Sequence, residues 1–263
     1  MIKKWIQRFL ARWHSDRFIL EELTKRDFKY KYKRTVLGMG WSLLSPLLQL
    51  LVMRLVFTNF FGRNMPYYTT YLFAGNLFFS FFRESTNNSM TALNSNARII
   101  TKINSPKYLF LLSKNIAAII NFCITLVVFF LFAVIDGVPF HASVFLIFYP
   151  MVLMTVFNIG VGMVLSAMNV FFRDVQYLYN IFVMLLSYLS AIFYYIDSYP
   201  ENLQRLFLLN PVYCYIKYVR VIVIDGTVPS FAFHMLLLLY SGAALAAGAA
   251  IYKTQNQKFL FYL

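Results

Sequence analysis

The sequence predicts an all-α integral membrane protein with six transmembrane helices, and three observations support this prediction. Apolar residues make up 60% of the 263 positions and charged residues only 13%, against about one half and one quarter in an average soluble domain. The chain holds 29 Phe, 19 Tyr and 3 Trp, more aromatic surface than one soluble core can bury. Several apolar stretches reach the roughly 20 residues that a helix needs to cross a bilayer.

The first 34 residues form a basic, amphipathic segment ahead of the first span. Ile2, Trp5 and Phe9 recur at helical spacing, while basic residues occupy the opposite side. We expect a cytoplasmic helix in the membrane interface within residues 1–34, followed by a single transmembrane domain over residues 35–263. The alternative is that the apolar side packs against the rest of the protein. No secretory signal is expected, because an uncharged apolar core with a cleavage site is missing here.

A second basic run lies directly before the first span and alternates with aromatic residues. Such alternation also occurs in sites for single-stranded nucleic acid, and the net charge of +14 alone would allow that partner. Next to a span, however, these residues usually anchor the helix and contact anionic lipid headgroups. We therefore expect membrane lipid, and no nucleic acid, as the partner of this run. Its candidate headgroup-binding residues are Lys29, Lys31, Lys33 and Arg34.

Six apolar stretches qualify as spans, at about residues 41–61, 69–90, 108–135, 144–170, 175–196 and 231–252. The second of these ends in polar residues that include Arg83 and Glu84. The segment at about 197–229 is too polar for a span and too apolar for a free loop, and Pro and Gly break it into two pieces. We expect two short helices that re-enter the outer leaflet. A helical hairpin resting on the surface is the alternative.

The distribution of Lys and Arg predicts the orientation of the spans. With both termini in the cytoplasm, the cytoplasmic segments hold 18 of these residues and the outer segments hold 4. An excess of positive residues on the cytoplasmic side is the general rule for membrane proteins. We therefore expect a multi-pass protein whose N- and C-termini are both cytoplasmic.

The sequence contains no phosphate-binding loop, no dinucleotide-binding fingerprint and no clustered metal ligands. Its two cysteines, Cys123 and Cys214, lie far apart and are expected to be small buried residues. The only acidic residue well inside a predicted span is Glu84, whereas a proton-coupled carrier or a membrane enzyme needs several positioned ionisable groups. We expect no catalytic residue and no metal site. Any energy source must come from another polypeptide.

The loop between the second and third spans is a candidate contact for that polypeptide. Residues at about 92–105 can form a short cytoplasmic helix that Pro106 terminates. Apolar side chains follow one side of this helix, with Arg98 and Lys102 flanking them, as in helices that dock into a groove. A helix packed against its own membrane is the alternative. The candidate contact residues are Asn96, Ala97, Arg98, Ile99, Ile100, Lys102 and Ile103.

A series of motifs follows the chain in order: Arg26-Asp27, Thr35-Val36-Leu37-Gly38, Trp41-Ser42-Leu43-Leu44, Asn94-Ser95-Asn96-Ala97, Phe171-Phe172-Arg173-Asp174 and Leu209-Asn210-Pro211. Together they resemble the permease subunits of polysaccharide-export ABC transporters, and the resemblance covers nearly the whole chain. The most specific of them is the octet Ala167-Met168-Asn169-Val170-Phe171-Phe172-Arg173-Asp174, which ends in the motif Phe171-Phe172-Arg173-Asp174. Two positions depart from the family pattern: Ser105 stands where an aromatic residue is frequent, and residues 215–218 lack a frequent acidic residue.

This resemblance implies the type-two ABC exporter fold, a homodimer of six-span subunits in the bacterial inner, or cytoplasmic, membrane. It implies two partner subunits that bind ATP and Mg and hydrolyse the ATP, so that this chain is not itself an enzyme and holds no cofactor. The expected cargo is a lipid-linked polysaccharide of the O-antigen, capsule or teichoic acid type, taken from the cytoplasmic leaflet. The alternatives are an ABC exporter of a drug or lipid, an ATP-independent carrier, and a glycosyltransferase, for which the necessary catalytic acids are not found.

In that family, aromatic residues line the pore between the two subunits. Sugar C–H faces can pack on the rings, and tyrosine hydroxyls offer replaceable hydrogen bonds. The candidates in this chain are Tyr67, Tyr68, Tyr71, Phe78, Phe79, Tyr194, Tyr195 and Tyr199, although many aromatic residues of a membrane protein face lipid or the core instead. We also expect a lipid diphosphate to contact the headgroup-binding residues named above, because phosphate oxygens accept charge-assisted hydrogen bonds.

Overall fold

The computed structural model describes residues 16–29, 37–38, 40–61, 66–102, 105–196, 199–256 and 258–262. Within these residues the regular structure is entirely helical. Most of the predicted amphipathic segment, three of the four headgroup candidates (Lys31, Lys33 and Arg34) and one contact candidate, Ile103, lie outside the described residues.

Eleven α-helices and one 3₁₀ helix are defined in the described part of the chain. The first, α1, covers residues 16–29. The others are α2 (Gly40–Phe61), α3 (Tyr68–Ser95), α4 (Ala97–Ile100), α5 (Tyr108–Ile135), a 3₁₀ helix (Ala142–Ile147), α6 (Phe148–Phe171), α7 (Val175–Leu189), α8 (Glu201–Phe207), α9 (Pro211–Val223), α10 (Phe231–Gln255) and α11 (Phe259–Tyr262).

Four helical stretches of the described chain are long and apolar enough to cross a membrane: α2, α5, the 3₁₀ helix with α6, and α10. The pair α8 and α9 passes the same test when taken together, but it is bent by 110°. Helix α3 is 28 residues long, yet its C-terminal half carries Arg83, Glu84 and several amides. Length and composition therefore give four to five candidate spans in an all-helical membrane protein.

Helix α3 forms the centre of the subunit and is buried along most of its length. At one end, the Thr70 backbone N–H and hydroxyl both donate to Asp136 at 3.1 and 2.9 Å. Further along, the Ser85 hydroxyl donates to the side-chain amide oxygen of Asn115 at 2.5 Å. The residue numbers rise along α3 and fall along α5, so these two helices run antiparallel.

Helices α6 and α10 run parallel and approach each other closely. The Tyr149 hydroxyl donates to the His234 carbonyl, and the Ser166 and Tyr252 hydroxyls are hydrogen-bonded at 2.6 Å. The residue numbers of these contacts rise along both helices, as expected for parallel helices. Between them lies Gly160, where an added Cβ would stand 2.3 Å from the Ala244 carbonyl carbon. Small residues at such contacts let helix backbones approach within the membrane.

The predicted end of the fifth span, at residue 196, was wrong, because α7 ends at Leu189. Its 15 residues reach about 22 Å, short of the roughly 30 Å hydrocarbon core. The chain turns at Ala191, which has a left-handed φ of 49°. The apolar sequence continues through this turn, so hydropathy alone could not locate it.

The predicted helix at about 92–105 is also different in the structure. Residues 92–95 continue α3, and Asn96 (φ −111°, ψ 12°) interrupts the helix before the four-residue α4. The Asn96 side chain donates back to the Ala92 carbonyl at 2.8 Å. An amide that bonds its own backbone competes with the helical pattern, which explains why the segment bends here.

Helix α9 begins at the motif Leu209-Asn210-Pro211. The Asn210 side-chain oxygen accepts hydrogen bonds from the backbone N–H groups of Val212 and Tyr213, and proline occupies the first helical position. The Asn210 amide also donates to the Leu189 carbonyl at 3.1 Å. One side chain thus caps α9 and joins it to the end of α7.

Candidate functional site

A cavity of about 540 Å³, which we call the outer cavity after the orientation predicted from the sequence, lies between the start of α3, the link after α7, and α9. Its wall combines aromatic rings with charged groups, including Tyr71, Tyr195, Tyr213, Lys217 and Arg220. The ring centroids of Tyr71 and Tyr195 are 6.0 Å apart in an edge-on arrangement, and the Lys217 ammonium lies 6.0 Å from the Tyr213 ring centroid. Such a wall can hold a ligand that has both apolar faces and polar groups.

Arg220 organises one side of this cavity although it is buried. Its guanidinium donates to the backbone carbonyls of Tyr71, Ala191 and Ile192 at 2.9 to 3.3 Å. These carbonyls belong to the start of α3 and to the turn after α7. The planar donor fork of arginine suits such simultaneous contacts, so Arg220 fixes the shape of the cavity wall.

Three of the predicted pathway tyrosines are held by hydrogen bonds near this cavity. Tyr68 and Tyr71 donate their hydroxyls to the carbonyls of Phe193 and Tyr194, both at 2.8 Å. Tyr194 donates to the Tyr188 carbonyl at 2.7 Å. These bonds position the rings, and they leave their hydroxyls engaged with the backbone.

The remaining aromatic candidates fall into two groups. Tyr195 and Tyr199 are exposed, and Tyr67 is half-buried with a left-handed φ of 56°. Phe78 and Phe79 are buried in the core of the subunit, where Phe78 packs edge-on against Phe122. The structure thus gathers the tyrosines near the outer cavity and does not bring the two phenylalanines to it.

A second cavity, which we call the polar groove, occupies about 500 Å³ between α2, α3 and α5. Hydroxyl and amide groups dominate its polar wall, which comprises Ser45, Gln49, Asn76, Ser80, Asn121 and Thr125. The groove is also lined by Trp41, Ser42, Arg83 and Glu84 and by the apolar residues Pro46, Leu77, Phe81, Ala118 and Phe122. Sequence reasoning named Trp41 and Ser42 in a motif and Arg83 and Glu84 in a span, but it predicted no cavity here, because isolated amides within apolar runs give no recognisable motif.

Glu84 links the polar groove to a third cavity. Its carboxylate accepts a hydrogen bond from the Asn121 amide at 2.6 Å, and both residues also line an inner cavity of about 330 Å³. That inner cavity extends to Asp27 at the end of α1, where Asp27 lies 3.1 Å from the Lys114 ammonium. The two cavities thus share a polar wall that extends from α1 into the helix bundle.

The contact segment around α4 presents mainly charged side chains. Arg98 and Lys102 are exposed, Ala97 and Ile99 are half-buried, and Ile100 is buried in an apolar cluster of the subunit. The exposed apolar surface of this segment is therefore smaller than the spacing of its apolar residues predicts. Sequence reasoning missed a contact on the other side of this segment.

That contact joins α1 to the buried Asn96. Arg26 donates to the Asn96 side-chain oxygen at 2.7 Å and also pairs with Asp27 at 2.8 Å. Asp27 in turn accepts from the Ser113 hydroxyl at 3.3 Å. The motif Arg26-Asp27 thus fastens α1 to the α3–α4 junction and to α5, whereas Lys29 at the end of α1 is exposed.

The C-terminal residues pack against the segment between α4 and α5. Lys107 is buried between the α4 segment and the C-terminal residues, where its ammonium donates to the Asn256 carbonyl and lies 5.5 Å from the Phe259 ring centroid. Burial lowers the pKa of this lysine from its ordinary value. The contact stabilises the position of the chain terminus beside the segment that leads into α5.

The sequence of residues 20–224 matches the family described as the ABC-2 type transporter. The match covers more than half of the chain. The chain belongs to the ABC-2 type transporter family.

Individual ABC-2 relatives are similar over almost the full length. An O-antigen export system permease protein from Klebsiella pneumoniae is 28% identical over 243 residues, which are 92% of this chain and 93% of the relative. A protein of the same description from Myxococcus xanthus is 24% identical over 258 residues, 96% and 98% of the two chains. A polysialic acid transport protein from Escherichia coli is 21% identical over 244 residues, 92% and 95% of the two chains.

Two helices of this ABC-2 family member carry large exposed apolar faces. Helix α7 buries only Tyr179 and Val183 among its described residues. Helix α2 exposes Leu48, Val52 and Leu55. These faces need lipid or another polypeptide to cover them.

Among the described residues, no group of His, Cys, Asp or Glu is arranged to hold a metal ion. The described cysteines make no disulfide. Cys214 is buried as predicted, whereas Cys123 is exposed, so its predicted burial was wrong.

Proposed function

We propose that this chain is the permease subunit of an ATP-driven exporter that moves a lipid-linked polysaccharide out of the cytoplasmic leaflet. The observation that carries this proposal is the similarity over 92% of the chain to permeases named for O-antigen and polysialic acid transport. The tyrosine-rich outer cavity supports it, because rings and replaceable hydrogen bonds suit a sugar chain that must slide without sticking.

The assembly we propose is a homodimer in which α2 and α7 face the second copy. This would cover the large apolar faces of both helices, and it would extend the short α7 into a wall shared by two subunits. Exposed Tyr195 and Tyr199 then lie where a polymer passing between the subunits could contact them. In this arrangement the subunit has six spans, counting α3 and α7, and both termini are cytoplasmic.

ATP hydrolysis would take place in two partner subunits that bind ATP and Mg, because no phosphate-binding loop occurs in this sequence. We propose that these subunits contact the α4 segment through exposed Arg98 and Lys102. Movement there would pass to α1 through Arg26 and to α3 through the Asn96 junction.

The lipid diphosphate would approach from the cytoplasmic leaflet beside α1. Exposed Lys29 at the end of α1 and Lys114 beside Asp27 support a cationic environment there. The other proposed headgroup residues, Lys31, Lys33 and Arg34, follow directly in the sequence. Charge-assisted hydrogen bonds from lysine and arginine are the usual means of holding phosphate.

Gene deletion in the native host tests the proposed cargo. We expect surface polysaccharide to disappear and lipid-linked polymer to accumulate inside the cell, with both effects reversed by the wild-type gene. Unchanged surface polysaccharide with altered drug resistance or lipid distribution would instead establish another amphipathic cargo. The control is a strain that carries the gene with a synonymous coding sequence.

Affinity purification in mild detergent tests the proposed partners. A tagged full-length chain should bring down a near-stoichiometric subunit that contains a phosphate-binding loop, identified by mass spectrometry. An intact dimer without such a subunit would overturn the ABC mechanism and favour an ATP-independent carrier.

A further inference from the structure

We propose that the polar groove between α2, α3 and α5 is a binding site for a pyranose ring of the transported glycan. This inference rests on the proposed function and assigns a substrate contact within each subunit, apart from any pore between two subunits. Its volume of about 500 Å³ falls within the roughly 300–1,000 Å³ that is typical of small-molecule sites.

The first argument comes from the type of polar group in the groove. Its wall is rich in uncharged hydroxyls and amides, which both donate and accept hydrogen bonds. The charged wall residues, Arg83 and Glu84, have opposite signs. A strongly anionic or cationic ligand therefore gains little, whereas the hydroxyls of a sugar ring can exchange hydrogen bonds with these uncharged groups.

The second argument comes from the weakness of two contacts in the groove, one between α2 and α3 and one within α3. The amides of Gln49 and Asn76 are 3.5 Å apart, and the Ser80 hydroxyl is 3.5 Å from the same Asn76 oxygen. Both distances are at the long end for hydrogen bonds. Such contacts can be exchanged for shorter ones to a sugar hydroxyl at little cost.

The third argument is the position of an aromatic ring and the path to the groove. Trp41 lines its wall and is 39% exposed, which leaves ring surface for the apolar face of a sugar. Glu84 and Asn121 join the groove to the inner cavity beside α1. A ligand that arrives from the cytoplasmic side thus finds a continuous polar wall.

Chemical labelling of the full-length chain in lipid nanodiscs tests this site. In a Cys123→Ala background, Ser45→Cys on α2 places one thiol in the groove. It should react with a charged methanethiosulfonate reagent, and at least one methyl glycoside or disaccharide from a panel of common bacterial sugars should slow the reaction several-fold. A thiol that does not react, or one that no sugar protects, would overturn the proposal.

A matched pair of threonine variants separates sugar binding from simple hydration. Thr125 in the groove and Thr155 on α6 each donate to a carbonyl four residues back in their own helix, at 2.9 and 2.8 Å. Thr125→Val should weaken sugar protection about three- to tenfold, the value of one neutral hydrogen bond, while Thr155→Val leaves it unchanged. Equal effects of the two variants would contradict a specific site.

The labelling and export experiments distinguish failure of the groove site from failure of the proposed export function. If the wild-type chain exports no glycan in the native host, the proposed function fails whatever the labelling shows. If the wild-type chain exports normally while no sugar protects Ser45→Cys, only the groove site fails. Normal export by a Thr125→Val chain that has lost sugar protection would overturn its role in transport.

Discussion

The guanidinium carbon of Arg220 lies 3.4 Å from the ring centroid of Tyr71, and the same guanidinium donates to the Tyr71 backbone carbonyl. One side chain on α9 therefore holds both the ring and the backbone at the start of α3. Because it also binds the carbonyls of Ala191 and Ile192, it joins three segments at the outer cavity.

Replacement of Arg220 by leucine should destabilise the subunit. The variant loses several charge-assisted hydrogen bonds and leaves buried carbonyls without their donor, which should cost on the order of 3 kcal/mol. Arg220→Lys should retain only part of the wild-type stability, because lysine lacks the planar donor fork of arginine. Thermal unfolding in detergent measures the change.

Arg205 provides the control for this prediction. It pairs with Glu201 at 2.7 Å, but both side chains are more than two thirds exposed. An exposed pair contributes about 0–1 kcal/mol, so Arg205→Leu should have little effect. Equal losses for Arg205→Leu and Arg220→Leu would show that the buried contacts are not the cause.

Substitution of Gly160 by alanine should weaken the packing of α6 against α10. The added Cβ would overlap the Ala244 carbonyl, and rigid backbone must move to make room. Overpacking of this kind costs about 1–3 kcal/mol. Gly242→Ala is the matched control, because an added Cβ there meets nothing within 4 Å. A lower melting temperature for Gly160→Ala, with no decrease for Gly242→Ala, is expected; the reverse order would contradict the close contact.

The long apolar helices could be predicted from sequence because hydropathy and length determine them. The third predicted span, at about 108–135, coincides with α5, and the sixth, at about 231–252, lies within α10. The turn at Ala191 could not be predicted in this way. It depends on Arg220, which is distant in sequence and binds the freed carbonyls.

The candidate sites show the same limit. Tyr71 and Tyr195 could be proposed from their aromatic character. Only the tertiary structure shows that they line the same cavity as Arg220. The polar groove left almost no signal, since its amides and hydroxyls are scattered over three helices with no common motif. Sequence periodicity describes one helix at a time, whereas this site is formed by three.

Asn210 should be more important than an ordinary helix cap. Asn210→Ala removes the cap of α9 and also the hydrogen bond to the Leu189 carbonyl. Loss of a cap alone lowers the free energy of unfolding by about 0.5–2 kcal/mol. We therefore expect Asn210→Ala to lower it by an amount in the upper part of that range, measured by thermal unfolding.

Ser230 is the matched cap on α10, where its hydroxyl accepts a single bond within the described residues, from the Phe233 N–H at 3.4 Å. Ser230→Ala should therefore cost less than Asn210→Ala. Asn210→Asp keeps the cap oxygen and removes the amide donor, so its stability should lie between wild type and Asn210→Ala. Identical stability of Asn210→Asp and Asn210→Ala would contradict a contribution from the cap.

Loss of the contact between Arg26 and Asn96 should impair export more than it impairs folding. The guanidinium reaches Asn96 from α1 at 2.7 Å, where the chain turns from α3 into α4. If movement of α4 passes through this contact, Arg26→Gln should reduce polysaccharide export about tenfold, as expected for loss of one charge-assisted hydrogen bond. The amount of protein in the membrane should stay unchanged.

Arg17→Gln on the same helix is the control, because Arg17 is exposed and its pair within the described residues is the exposed Glu21, at 3.1 Å. Export should be measured by surface polysaccharide at matched protein levels, together with ATP hydrolysis by the purified complex. Continued ATP hydrolysis with reduced export in Arg26→Gln would identify the contact as part of the coupling path. Equal export by the two variants would instead limit the contact to holding α1 in place.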